Sequence, residues 1–188
     1  MPHKVIFIDT ETTSLDTEKC GMIEIAGIID IDDKEVDRFY IETNIFQGDL
    51  IEKEALEKNG TPLKEIYARQ SPIKAYAQLL KVLKKYIDKF DKTDKFIAIG
   101  YVADFDNRVL RSFFKKNNDE FYGSWFWTPW IDVFNLAAYM YQDQRKDFEN
   151  FKLETVARFL GMQIKEERLH DALYDANLTR EMYYKLTK

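Results

Sequence analysis

Residues 4–15 read K-V-I-F-I-D-T-E-T-T-S-L. Val5, Ile6, Phe7 and Ile8 form a run too short for a helix and apolar on both faces, the pattern of a central strand in a sheet covered on both sides. The run stops at Asp9-Thr10-Glu11. Strand side chains alternate faces, so Asp9 and Glu11 point the same way, above Val5 and Phe7. Two carboxylates side by side at the end of a buried strand repel each other and lose hydration. Either their pKa values rise or a cation sits between them. The plain alternative is a strand that has ended, leaving two solvated acids in a loop.

Working outward from this strand, residues 21–30 (G-M-I-E-I-A-G-I-I-D) form a second β-like run, and residues 35–43 alternate polar and apolar. The short turn Asp32-Asp33-Lys34 between them predicts an antiparallel hairpin. A short helix is expected over residues 52–58, closed by Asn59-Gly60. Ser71-Pro72 makes a good N-cap and first position for a helix running through Ala75, Leu79, Leu80, Leu83 and Ile87. Its lysines 81, 84, 85 and 89 read as a solvated face rather than a phosphate track. Residues 96–100 read as another buried strand and residues 104–116 as a helix. Residues 121–130 (F-Y-G-S-W-F-W-T-P-W) are densely aromatic and are expected to be a loop plus edge strand packed on the core, with partner docking or base stacking as the alternative. Helices follow over 132–141, over 153–160 with Gly161 as the stop, and over about 172–186. Three strands in a meander followed by alternating helices and strands imply an α/β fold: a mixed sheet with helices on both faces.

At 188 residues the chain is expected to be one domain, 1–188, with no linker and no internal repeat. Cys20 is the only cysteine, so an intramolecular disulfide is excluded and a reducing compartment is expected. No apolar run approaches a membrane span, and Met1-Pro2-His3-Lys4 lead straight into the first strand; a soluble, cytoplasmic protein without a membrane partner is expected. The net charge of −5 argues against a broad duplex-binding surface. A protein that grips only a strand end, with metal ions facing the phosphate, needs no such surface.

Further acids lie at suggestive places. Asp106 falls in G-Y-V-A-D-F-D-N-R just past the strand ending at Gly100. A helix-start acid stabilised by the macrodipole is the simpler reading, and Asp104 fills that role equally well. Near the C-terminus stands H-D-A-L-Y-D-A, with His170 and Asp175. Five residues along one helix separate side chains by about 140°, so both can face one site only if His170 lies in the loop before the helix. The other histidine, His3, reads as a terminal surface residue.

A carboxylate pair on a strand, a distal Asp after another strand and a His-x4-Asp at a late helix together resemble the histidine subtype (DEDDh) of the DnaQ-like 3′→5′ exonucleases, relatives of the polymerase proofreading subunit. The first motif is matched by residues 9–15 and continues into Ile23-Glu24-Ile25-Ala26-Gly27-Ile28. The second is matched by Ala103-Asp104-Phe105-Asp106 and the third by residues 170–176. The chain departs from the family pattern at Ser14, where Gly is usual, at Tyr101-Val102, which replaces His-Asn, and at Asn59, where proofreading relatives tend to have His.

The resemblance implies a ribonuclease H-like three-layer fold with a mixed five-stranded sheet. It implies hydrolysis of phosphodiester bonds at the 3′ ends of single-stranded or frayed DNA, releasing nucleoside 5′-monophosphates in replication or repair. It also implies a catalytic set of Asp9, Glu11, Asp106, His170 and Asp175. Two Mg²⁺ or Mn²⁺ ions are expected, with Asp9, Glu11 and Asp175 at one and Asp9 supported by Asp106 at the other; hard oxygen donors suit these metals. His170 is the implied general base, and a pKa near 6.5 suits it to that task. Leu15 and Phe105 match positions that pack against terminal bases, and Thr12 matches one that helps bind the terminal nucleotide; for Phe105 a core place behind Asp106 is the alternative. Nucleic-acid 3′ ends are the expected partner, DNA before RNA, with a polymerase or another protein as an open further partner. An exoribonuclease of the same family is the runner-up, followed by a non-catalytic module that binds nucleic acid or a polymerase.

Overall fold

The computed structural model describes residues 3–188; Met1 and Pro2, read above as leading directly into the first strand, lie outside the described residues. Strand β1 (Lys4–Thr12) is central, because its residues are apolar on both faces. It pairs antiparallel with β2 (Met22–Ile31), which pairs antiparallel with β3 (Lys34–Glu42). On its other edge β1 pairs in parallel with β4 (Ile97–Gly100), and β4 with the short β5 (Ile131–Asp132). The mixed five-stranded sheet has the order β3-β2-β1-β4-β5. The β2–β3 turn places Asp32 and Asp33 at φ 49° and 63°, left-handed values that aspartate tolerates and that match the twist of a two-residue hairpin.

Among the described residues seven α-helices accompany the sheet: α1 (Lys53–Asn59), α2 (Leu63–Ala68), α3 (Pro72–Tyr86), α4 (Ala103–Lys116), α5 (Val133–Met140), α6 (Leu153–Phe159) and α7 (Ala172–Thr187). Helix α3 begins as its sequence dictates, with Ser71 accepting from the Lys74 N–H and Pro72 in the first turn. The sheet divides the core in two. Ile6, Ile8, Ile25 and Ile29 pack with α3, α4 and the buried aromatics Tyr122, Trp125, Phe126 and Trp130. Val5, Phe7, Ile28 and Ile99 pack with α5, α6 and α7. Most of the aromatic segment is therefore core. It contains a 3₁₀ turn at Tyr122–Ser124 and a single bridge from Phe126 to Phe96, and the edge strand itself is Ile131–Asp132. Helix α2 was not anticipated: it is six residues long, follows Pro62 and buries only Ile66, too short a pattern to register as periodic.

Helix α7 is tied to the sheet by charge as well as by apolar packing. Asp30 on β2 is fully buried, and both its oxygens accept from the Arg180 Nε, at 3.0 and 2.9 Å; the Tyr184 hydroxyl donates to it at 2.6 Å. Removing one partner of a buried ion pair leaves an uncompensated charge in the interior. Arg180→Ala is therefore expected to destabilise the protein by about 3 kcal/mol, and Tyr184→Phe by about 1 kcal/mol. Chemical denaturation of both variants measures the two losses, and equal, small values would show that Asp30 is solvated after all.

Candidate active site

The candidate acids converge at the C-terminal end of β1 from three different elements. Asp9 and Glu11 lie on the strand, on the face shared with Val5 and Phe7, toward α7. Thr10 points to the opposite face, toward α4. Since β4 stops at Gly100, the edge of β1 beyond Phe7 has no strand beside it. Asp106, in the first turn of α4, takes that place: its Oδ1 accepts from the Thr10 N–H at 3.0 Å and from the Thr10 hydroxyl at 2.7 Å. A Cβ on Gly100 would lie 3.2 Å from the Ala103 Cα and 3.5 Å from Asp106 Oδ2, so the absence of a side chain there lets α4 start hard against the strand end.

The residue before α4, Val102, has φ 57°, a left-handed value costly for a β-branched side chain and readily adopted by asparagine. Its N–H donates to Asp132 Oδ1 at 3.0 Å, and Asp132 also caps α5 by accepting from Phe134 N–H at 3.0 Å. At position 14, by contrast, Ser needs no positive φ, and its hydroxyl accepts from the Asp16 N–H at 3.0 Å.

His170 lies in the loop before α7 and Asp175 in the helix's first turn, the one arrangement in which the two can face the same place. The loop is shaped for this. Asp171 caps the helix through the Tyr174 N–H at 3.0 Å, His170 adopts φ 69°, and the His170 N–H donates to Asp175 Oδ2 at 3.2 Å. Donor atoms of Glu11, His170 and Asp175 all lie within 4.8 Å of one another. Asp175 Oδ1 is buried and has no hydrogen-bond partner. A buried acceptor without a donor is costly, and the other donors around it are hard oxygens and an imidazole, so these residues fit a divalent cation.

The electrostatics say the same. Burial first, then the charges of Asp106, Glu11 and Asp175, hold the Asp9 carboxyl well above the usual carboxylate range. Burial and the Asp175 charge push Glu11 up to about 8, with Glu24, its partner across the β1–β2 ladder, adding to the effect. Burial raises Asp106 and Asp175 to about 7 each, although Thr10 and the His170 N–H stabilise the charged forms. His170 is held below its ordinary value by partial desolvation and by the charge of Lys58.

The expected substrate contacts are placed differently from one another. Leu15 is 78% exposed at the rim beyond the acids. Thr12 is buried and its hydroxyl donates to the Ser14 carbonyl at 2.8 Å. Phe105 is partly buried and packs against the α3–α4 core. Two neighbours of the site escaped the sequence reading. Thr10 was hidden between the two acids it separates, and Lys58, at the end of α1, comes near only through the fold. Asn59, noted in the sequence as a departure from the family pattern, donates from its amide to the Thr12 carbonyl at 2.8 Å.

The family model RNase_T, described as an exonuclease, matches residues 6–183. Among solved structures, one of exonuclease I superposes with a TM-score of 0.78 at 19% identity, covering 98% of this chain and 40% of that one. Escherichia coli exonuclease I in complex with a dT13 oligonucleotide gives 0.77 at 20% identity, covering 98% and 41%. The zinc-bound form of the E. coli enzyme's complex with single-stranded DNA gives 0.76 at 19% identity, covering 98% and 40%. The chain thus spans about two-fifths of the length of these structures, and the likeness is one of fold. No curated protein matches it.

The raised carboxyls make stability depend on pH. Unfolded, these acids titrate near 3.8 and 4.5; folded, Glu11, Asp106 and Asp175 titrate near 7 to 8. Between those values the native state holds protons that the unfolded chain has released, so the stability is fully present below about pH 4 and is lost as pH rises through about 7 to 8. Without divalent metal, the melting temperature is expected to fall from pH 5 to pH 8, by a stability change on the order of a few kcal/mol. Asp9→Asn should flatten the slope. A melting temperature that rises over this range in EDTA would contradict the assignment.

Proposed function

Because the chain belongs to the RNase_T exonuclease family, the DnaQ-like 3′→5′ exonucleases, we propose that it hydrolyses the terminal phosphodiester bond at the 3′ end of single-stranded or frayed DNA and releases nucleoside 5′-monophosphates. The observation that carries this reading is the gathering of Asp9, Glu11, Asp106 and Asp175 around one strand end beside His170, with the buried Asp175 Oδ1 lacking any partner in the protein. DNA is the preferred substrate because the E. coli exonuclease I structures hold single-stranded DNA.

Asp9, Glu11 and Asp175 would hold one divalent ion, and Asp9 with Asp106 a second; Mg²⁺ or Mn²⁺ suits the oxygen donors. When bound, such a pair supplies positive charge to the attacking and leaving oxygens of a phosphodiester displacement. The chain's own residues do the rest. His170 is exposed at the rim, and its lowered pKa keeps the imidazole neutral near pH 7, ready to accept the proton of the attacking water. Thr10 fixes Asp106 through two hydrogen bonds to one oxygen. Leu15 offers an apolar face on which any terminal base can pack, which suits low sequence specificity. No helix among the described residues is long and apolar enough to cross a membrane. The single, buried Cys20 supports a reducing, cytoplasmic setting.

The test is incubation with 5′-labelled single-stranded DNA and RNA of matched sequence, with Mg²⁺, Mn²⁺ or EDTA. A metal-dependent ladder shortening from the 3′ end is expected, on DNA more than on RNA. His170→Ala should lower the rate about 10²- to 10⁴-fold. Asp175→Asn should abolish hydrolysis while leaving the metal-free melting temperature unchanged or raised. Faster shortening of RNA would make the protein an exoribonuclease, and intact substrate in every lane would leave a binding module.

A further inference from the structure

Helix α1 has an unusual relation to the site. None of its residues is fully buried, Ala55 and Leu56 being half-buried, so apolar packing alone does not explain its position. Instead it is pinned at both ends to the chain just beyond the two strand acids. At its start the Glu52 N–H donates to the Thr13 carbonyl at 2.7 Å, and the Glu52 carboxylate accepts from the Leu15 N–H at 3.3 Å. At its end the Asn59 side chain donates to the Thr12 carbonyl at 2.8 Å. Gly60, at φ 65°, then turns the chain away. The residue presented by this arrangement is Lys58, in the last turn, exposed, with Asn59 holding its backbone beside the β1 terminus.

Some lysines are held by carboxylates: Lys53 pairs with Glu57 at 2.9 Å, Lys85 with Asp37 at 2.8 Å and Lys116 with Asp49 at 2.6 Å. Lys58 is the residue next to the Asn59 anchor on Thr12, at the strand end that carries Asp9 and Glu11, and among the described residues its ammonium is in none of the ion pairs. Its charge favours the ionised forms of Asp9, Glu11 and Asp175 as a minor influence behind burial and the neighbouring acids, and lowers His170. A cation on a helix anchored to Thr12, Thr13 and Leu15, just beyond the strand acids, and in no ion pair of its own is placed to meet a further anion. Once divalent ions take up the carboxylate oxygens, the remaining anion in a phosphodiester site is the phosphate itself. Lysine binds phosphate as a mobile point charge rather than as a planar fork.

We propose that Lys58 pairs with a non-bridging oxygen of the phosphate being cleaved and holds it against the carboxylate cluster, with α1 serving to place it. This inference rests on the exonuclease reading. It is tested by calorimetric titration of thymidine 5′-monophosphate and of thymidine into the full chain at saturating Mn²⁺, for wild type, Lys58→Ala and Lys58→Arg. Lys58→Ala is expected to weaken the monophosphate about tenfold, to leave thymidine unchanged, and not to weaken Mn²⁺ binding. Lys58→Arg should retain most of the affinity. A Lys58→Ala protein that binds the monophosphate like wild type, or that loses monophosphate and thymidine equally, overturns the assignment. If wild type shortens labelled DNA in those outcomes, only the role of Lys58 has failed; if wild type neither binds the monophosphate nor shortens DNA, the exonuclease reading has failed with it.

Discussion

The mutual repulsion of four carboxylates at the end of β1 is the constraint around which the structure is arranged. Two like charges about 4 Å apart near a protein surface repel by about 4 kcal/mol, and burial adds the cost of lost hydration. A chain that keeps such a group together must hold each acid from its own scaffold. Asp9 and Glu11 are fixed by the central strand, Asp106 by two donors from Thr10, and Asp175 by the first turn of α7 and the N–H of His170. What the scaffold does not cancel remains as carboxyl groups that resist losing their protons, and that unspent cost is what a divalent ion would relieve.

The sheet topology explains why the group forms at this end. Parallel pairing of β1 with β4 sends both strands the same way, and the early stop of β4 at Gly100 leaves the last residues of β1 uncovered on one edge. Helix α4 can then begin beside the strand, and Asp106 takes the hydrogen bond that a longer β4 would have taken. On the other face, the buried Asp30–Arg180–Tyr184 contact fixes α7 across β2 and so sets where its first turn arrives. The tether lies about one and a half to two and a half turns from Asp175 on the same helix, and helix rigidity carries its effect to the site.

Much of this was legible in the sequence because the deciding signals are local. An apolar four-residue run ending in alternating acids specifies a central strand and the face its acids share. Ser71-Pro72 opens a helix, and Asp32-Asp33 closes a hairpin, through backbone chemistry contained in a few residues. The need for His170 to precede its helix followed from helical geometry alone, and the loop with Asp171 as cap supplies that arrangement. What escaped was non-local or too short. Asp30 and Arg180 lie 150 positions apart, and neither sits in a pattern that names the other. Helix α2 has too few turns to show a period. Lys58 reads as one more surface lysine until Asn59 is seen bonded to Thr12. The aromatic segment hides its division by composition: Tyr122, Trp125, Phe126 and Trp130 enter the core while Phe121 and Trp127 stay outside.

The carboxylate cluster keeps protons that a divalent cation must displace. The most direct measurement is calorimetric titration of Mn²⁺ into the metal-free protein near pH 6.5, in two buffers of different ionisation enthalpy, which separates binding from proton release. The account predicts saturable binding of about two ions per chain with release of about one proton or more, both lost in an Asp9→Asn, Asp175→Asn double variant. Binding without proton release, or no binding at all, would contradict it.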